Sequence, residues 1–195
     1  MKKLCIAFAV ATLAPVAMAQ SAGDLVGRVR AVNIDPVAKE TFGGNVVTVN
    51  SKVIPEVDFS YFVTPNVAAE LILTVPQKHD VLLNGAKIGS LKHLPPTLTA
   101  QYHVTGLGAF KPYVGAGLNY TIFSSVDLPT GLSIEKSSLG FAYQLGADIA
   151  LNKTWSINVD YKKVQIRTDL SSGGAKLGTI KVDPSLFGLG VGYKF

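Results

Sequence analysis

Three histidines are the natural starting point for chemistry in this chain: His79 beside Asp80, His93, and His103 two residues after Gln101. Zinc ligation needs such side chains at close, repeated spacing, and these are too scattered to suggest a site. No H-x-E, G-x-S-x-G or Cys–His pattern accompanies them. His79 and Asp80 read as a solvated loop pair, and His103 as an interior histidine with hydrogen-bond partners. The glycines at 115 and 117 fall inside a strand, where they are small-residue packing rather than a phosphate loop. Neither an enzymatic activity nor a bound metal or cofactor is expected.

The larger chemical set is charged and polar. Arg28, Arg30, Asp58, Glu70, Gln101, His103, Lys111, Gln144, Asp148, Asn158, Asp160 and Lys194 each sit between apolar neighbours on either side. In an extended chain that spacing puts the polar groups on one face and the apolar groups on the other. Gathered inside a narrow tube, such groups would neutralise and hydrogen-bond one another, as buried charges must.

The elements that must position them are long strands. Over residues 110–123 one row reads Phe110, Pro112, Val114, Ala116, Leu118, Tyr120, Ile122, and the other Lys111, Tyr113, Gly115, Gly117, Asn119, Thr121, Phe123. Ten residues at about 3.3 Å each, tilted about 40°, span roughly 25 Å, the height of the apolar band of an outer-membrane barrel. The same alternation recurs at 23–34, 53–63, 67–75, 93–104, 138–151, from Trp155 onward, and at 185–195. Short turns at 64–66, 105–109 and 152–153 alternate with long loops at 35–52, 76–92, 124–137 and 169–181. In the seventh strand the apolar row is odd-numbered up to Tyr161, then Val164 and Ile166 are even-numbered. A bulge near Lys162 and Lys163, or emergence above the membrane, would explain the change.

The expected fold is all-β: an eight-stranded antiparallel transmembrane β-barrel with short periplasmic turns, long extracellular loops and both termini periplasmic. A soluble lipocalin-like barrel also has eight strands, but it would bury its oily row and expose its charge. Long strands with charged inner rows favour the lipid-facing arrangement. Aromatics at Tyr61, Tyr102, Phe110, Trp155, Tyr193 and Phe195 mark the turn end, and Tyr120, Phe141, Tyr161 and Phe187 the loop end. Trp155 and Tyr161 are too close together to mark both borders.

The N-terminus fits this location. A cationic start, an apolar run over 4–16 and Ala17-Met18-Ala19 form a secretory signal peptide, residues 1–19, leaving 20–195 as one barrel domain in the bacterial outer membrane. A retained membrane helix would need about 20 apolar residues, and this run is shorter and contains Pro15. The single cysteine, Cys5, lies in that segment, so the mature chain would carry no disulfide. Losing Lys2 and Lys3 lowers the formal charge from +5 to +3 (5 − 2), a mild excess that argues against a nucleic-acid partner. A composition that is 48% hydrophobic with 19 glycines suits a barrel.

Sorted by height, the inner row changes character. Toward the loops it holds Val32, Ile54, Ile72, Pro95, Phe123 and Leu186, a candidate apolar funnel. Lower down, Arg28, Arg30, Asp58, Glu70, Gln101, His103, Lys111, Asp148 and Asp160 would plug a lumen barely wide enough for its own side chains. A hydrophobic molecule in the funnel could then leave only sideways. Pro55, Pro76, Pro95, Pro96 and Pro184 sit at loop-side strand ends and each removes a ladder donor. Pro76, Pro95 and Pro96 flank one loop and place the candidate gap between the third and fourth strands. The competing accounts are that these prolines only end strands and that the apolar cluster only packs the loops.

Three stretches resemble one family. Residues 92–102, K-H-L-P-P-T-L-T-A-Q-Y, resemble the H-L-P-P-T-L-x-A-Q-aromatic signature of the OmpW family of outer-membrane proteins. Residues 110–120, F-K-P-Y-V-G-A-G-L-N-Y, resemble its F-[RK]-P-Y-[VL]-G-x-G-x-N-Y stretch, and the close, from Asp183-Pro184 to Gly192-Tyr193-Lys194-Phe195, its terminal D-P…G-Y-[RK]-F. Ser185 departs from the bulky residue expected after the Asp-Pro pair, at the loop-side rim of the pore. The resemblance implies an eight-stranded barrel carrying small hydrophobic molecules across the outer membrane, as AlkL-type relatives assist alkane uptake. The alternative is a non-transporting barrel for adhesion, stress resistance or phage and colicin docking through its loops. Expected partners are outer-membrane lipid, small hydrophobic solutes and, through the C-terminal Phe195, periplasmic chaperones and the barrel-assembly machinery.

Overall fold

In a computed structural model, alternating side chains produce eight long strands: β1 (Leu25–Asp35), β2 (Lys52–Phe62), β3 (Val67–Thr74), β4 (Thr97–His103), β5 (Phe110–Asp127), β6 (Ser137–Ala150), β7 (Trp155–Val164) and β8 (Ser185–Lys194). The structure describes residues 20–35, 40–42, 45–49, 51–83 and 85–195; the expected signal peptide at 1–19, and Pro36 and Gly43-Gly44 of the first loop, lie outside them. Each barrel strand pairs antiparallel with the next, and β8 returns to β1, Val29 facing Val191, so the sheet closes without an edge.

Closure sorts the two rows. Val29, Leu98, Leu118, Leu145 and Val191 are exposed on the outer wall, while Arg28, Asp58, Glu70, Asn119 and Asp160 are buried in the lumen. An exposed aliphatic band this extensive marks the surface that lipid covers. Trp155, Tyr193 and Phe195 form an edge-packed aromatic cluster at the turn end, with ring centroids 4.9 and 5.0 Å apart. Asn152 Oδ1 accepts from the Thr154 and Trp155 amides, 2.8 Å each, fixing the β6–β7 turn.

Three expectations need correction. No bulge occurs near Lys162–Lys163: β7 stays in continuous register with both neighbours, and Ser156, Asn158, Asp160, Lys162 and Val164 all point inward. What changes at Val164 is the chemistry of the lumen, from charged to apolar, with the strand's facing unaltered. Ser185 does not shape the pore rim. It lies on the outer row and its hydroxyl receives the Tyr161 OH (3.2 Å) and Lys163 Nζ (3.2 Å), while Leu186 faces the lumen. The long loops carry strands of their own: Glu40–Phe42 with Asn45–Val49, Gln77–Leu83 with Ala86–Leu94, and Leu132–Ile134 with Arg167–Ser172 and Ala175–Lys181. The turns of two of these hairpins use Gly85 (φ 83°) and Gly173-Gly174 (φ 56° and 87°), the positive-φ residues that tight hairpins need.

Glycines on the inner row make room for the large lumen side chains. A Cβ at Gly146 would collide with the Tyr113 hydroxyl, and one at Gly190 with the Val29 carbonyl. Gly146→Val should therefore destabilise the barrel by about 1–3 kcal/mol, the usual cost of overpacking. Urea unfolding in bilayers, followed by the heat-modifiable gel shift, would read this as a lower midpoint.

Candidate functional site

The lumen is organised around two arginines from β1. Arg28 donates through Nε and Nη2 to both oxygens of Asp148 on β6 (3.0 and 2.7 Å), and through Nη1 to Asp58 (2.9 Å) and Ser60 (2.8 Å) on β2. Arg30, one pleat higher, reaches Glu56 and Asp58 through Nη1 (2.9 Å each), Glu70 on β3 through Nη2 (3.2 Å) and Asn158 on β7 through Nε (2.6 Å). Lys162 Nζ joins Glu56 to Asp160, 2.7 Å to each. Tyr113 OH and Gln144 Nε2 both donate to Asp160 Oδ2 at 2.8 Å, and Thr99 closes the ring on Glu70 at 3.0 Å. Planar guanidinium forks suit such simultaneous pairing, which a point charge could not reproduce.

Beneath this network a second, small apolar layer forms from Val26, Phe62 and Ala68. His103 stacks between Phe62 and Tyr113, with centroids 4.9 and 4.8 Å away, and its Nε2 lies 3.0 Å from Gln101 Oε1. Lys111 is buried opposite Asp148 in the β5–β6 register. The nine residues expected in the plug are each buried in the lumen, His103 in the aromatic layer beneath the ion-pair network.

Above the plug the lumen turns apolar. Val32, Ile54, Phe123 and Leu186 pack with Ile34, Ala142, Val164 and Ile166 in one cluster, against Leu91, Ile134 and Val182 from the loop side. Ile54, Ile72, Pro95 and Leu186 line a cavity of about 30 Å³ that also touches His93, Thr74, Thr97, Asn119 and Pro184, with Glu56 and Lys162 of the plug on its lining. Val32 and Phe123 support the cup from within the cluster.

The wall beside the cup has an interruption. β3 and β4 pair from Val67↔Tyr102 to Ile72↔Thr97, and pairing resumes above as Gln77↔His93. Between them Leu73, Thr74, Val75 and Pro76 face Leu94, Pro95 and Pro96 without ladder pairs, four residues against three. Proline's missing N–H explains the break on both sides. The freed carbonyls turn to β5: Asn119 Nδ2 donates to Pro95 O (3.2 Å) and Pro96 O (3.3 Å), and the Tyr120 amide to Pro96 O (3.0 Å). Thr74 Oγ1 is buried there with no hydrogen-bond partner among the described residues.

Several participants lay outside the expected set. Glu56, Lys162, Tyr113 and Ser60 belong to the plug, and Ile34, Val164 and Ile166 to the cup. The signal for most of them was parity: Glu56 precedes Asp58 by two, Lys162 follows Asp160 by two, and Val164 and Ile166 continue the same inward series.

The model of the OmpW family matches residues 21–195. An uncharacterised outer-membrane protein of Sinorhizobium fredii, y4mB, is 41% identical over 78% of this chain and 70% of its own length. The dibenzothiophene metabolism operon protein PahQ of Pseudomonas aeruginosa is 31% identical over 71% of this chain and 69% of its own. The crystal structure of the outer-membrane protein OprG from Pseudomonas aeruginosa superposes with a TM-score of 0.77, at 31% identity, over 91% of this chain and 98% of that one.

Arg30→Ala should cost about 3–5 kcal/mol, because it strands several buried carboxylates without their counter-charge. Lys176→Ala, at an exposed loop ion pair with Asp169, should stay within about 0.5 kcal/mol. Equilibrium urea titration of the two variants side by side checks the contrast.

Proposed function

The chain belongs to the OmpW family of outer-membrane proteins, and from that membership we propose that it is a channel for passive uptake of small hydrophobic molecules. A solute enters the cup from the loop side and leaves sideways between β3 and β4 into the bilayer. The observation that carries this reading is the vertical division of the lumen. An apolar cup sits directly on a block of paired charges, and the wall loses its ladder at the level of the cup. Apolar surface gains about 25 cal/mol per Å² on leaving water, and a solute crossing the plug would forfeit that gain while separating buried ion pairs. The notch at Pro76 and Pro95-Pro96 offers a path that avoids the charged block, passing Thr74 and the proline rings. Entry requires Ile54, Ile72 and Leu186 to swing aside, since the resting cavity is smaller than any such solute. None of these side chains has a hydrogen bond to break.

The name of PahQ, tied to dibenzothiophene metabolism, supports aromatic hydrocarbons and their sulfur analogues as a solute class. The exposed C-terminal Phe195, packed edge-on against Tyr193, is the group we assign to recognition by periplasmic chaperones and the assembly machinery.

Hydrocarbon uptake should fall in a strain lacking the protein and return with the wild type but not with Ile72→Asp. Pro95→Ala, which restores one ladder donor beside the notch, should slow uptake several-fold. Unaltered uptake with Ile72→Asp would remove the cup from the route. Uptake independent of the protein altogether, with phage or colicin sensitivity lost on loop exchange, would favour the docking role.

A further inference from the structure

Just above the ladder interruption, Lys78 and Lys92 face each other in direct register on adjacent strands, and Lys92 in turn faces Ser124 on β5. Gln77 and His93 beside them are buried, so both lysines point outward, and both are exposed. Like charges directly opposite one another on a sheet face destabilise it. Among the described residues neither ammonium has an acidic partner. Asp80, two residues along the same face, is bonded to Lys87 at 2.7 Å, and Asp127 lies opposite Ser90. Two cations and a hydroxyl thus form a row across three neighbouring strands about 4.8 Å apart.

The height of this row identifies what would neutralise it. Lys92 is ten residues above Tyr102, the turn-side aromatic of the same wall. At about 3.3 Å per residue and a tilt of about 40°, that is roughly 25 Å, the full depth of the apolar band. The outward residues immediately below, Val75, Leu94 and Ile122, are apolar. The row therefore stands at the outer headgroup level, where the outer leaflet presents phosphate groups on a glucosamine-based glycolipid. We propose that Lys78, Lys92 and Ser124 form a clamp for a phosphate of that outer-leaflet glycolipid, whose acyl chains descend along Val75, Leu94 and Ile122. The clamp does not depend on the solute route, although it places one lipid directly over the notch.

Native mass spectrometry of the full mature chain in detergent, with diphosphorylated lipid A and its dephosphorylated form as probes, tests this. The wild type should retain the phosphorylated form at least tenfold better. Lys78→Gln/Lys92→Gln should lose on the order of tenfold or more, the scale expected for two cations near an anionic surface, and Lys78→Arg/Lys92→Arg should keep binding. Folding of each variant is read from the heat-modifiable gel shift. Equal retention of the two lipid forms by the wild type would overturn the clamp, as would undiminished binding by the Gln variant. Displacement by millimolar inorganic phosphate would make it a free-anion site and overturn the lipid assignment.

Discussion

Charge buried in a narrow tube must be matched by charge, and in this barrel Arg28 and Arg30 are where the matching is done. From one strand they bond to β2, β3, β6 and β7, tying four other staves of the wall to β1 through the interior. The wall closes by backbone pairing alone, but the lumen is filled by these spokes. Glycines at 146 and 190 leave the space they need, and Tyr113 and Gln144 cap the carboxylate of Asp160 that the arginines do not reach directly. Large arginine side chains, small facing residues and converging carboxylates are one arrangement seen from three sides.

That arrangement sets the rest of the molecule's behaviour. Because the plug is dense and polar, the space above it is a cup with a floor. β3 and β4 lose their pairing beside that cup, between Ile72↔Thr97 and Gln77↔His93. Asn119 absorbs the carbonyls that the prolines turn away from the ladder, so the interruption costs little in unsatisfied backbone. The outer wall responds to a different solvent: aliphatic across the band and aromatic at its turn-side border.

Most of the wall was legible in the sequence, because a period of two is unambiguous over ten residues and one face had to meet lipid. Arg28, Asp58, Glu70, Asp148 and Asp160 could be placed inside from parity alone. Less legible was what happens at strand ends. The switch at Val164 read as a bulge or as emergence above the membrane, because the change from a polar to an apolar lumen was not carried over to this strand. In fact the lumen changes solvent midway, and the same parity carries Asp160, Lys162, Val164 and Ile166. Ser185 was singled out only as a departure from the family pattern; it heads the outward row of its strand, and one step along, Leu186 faces the lumen. The loop hairpins were hidden by their polarity, though the Asn84-Gly85 and Gly173-Gly174 dipeptides were available as turn signals.

The claim at the centre is that the lumen is a dead end beneath the cup, and the most direct measurement is a footprint of the solute's path. A photoactivatable alkane, cross-linked to the barrel in bilayers and mapped by mass spectrometry, should label the inward residues Ile54, Ile72, Phe123 and Leu186. It should spare Val26, Phe62 and Ala68, the inward apolar residues below the plug. Adducts on Phe62 or Val26 as abundant as those on Ile72 would mean the solute runs the length of the tube, and the account would be wrong.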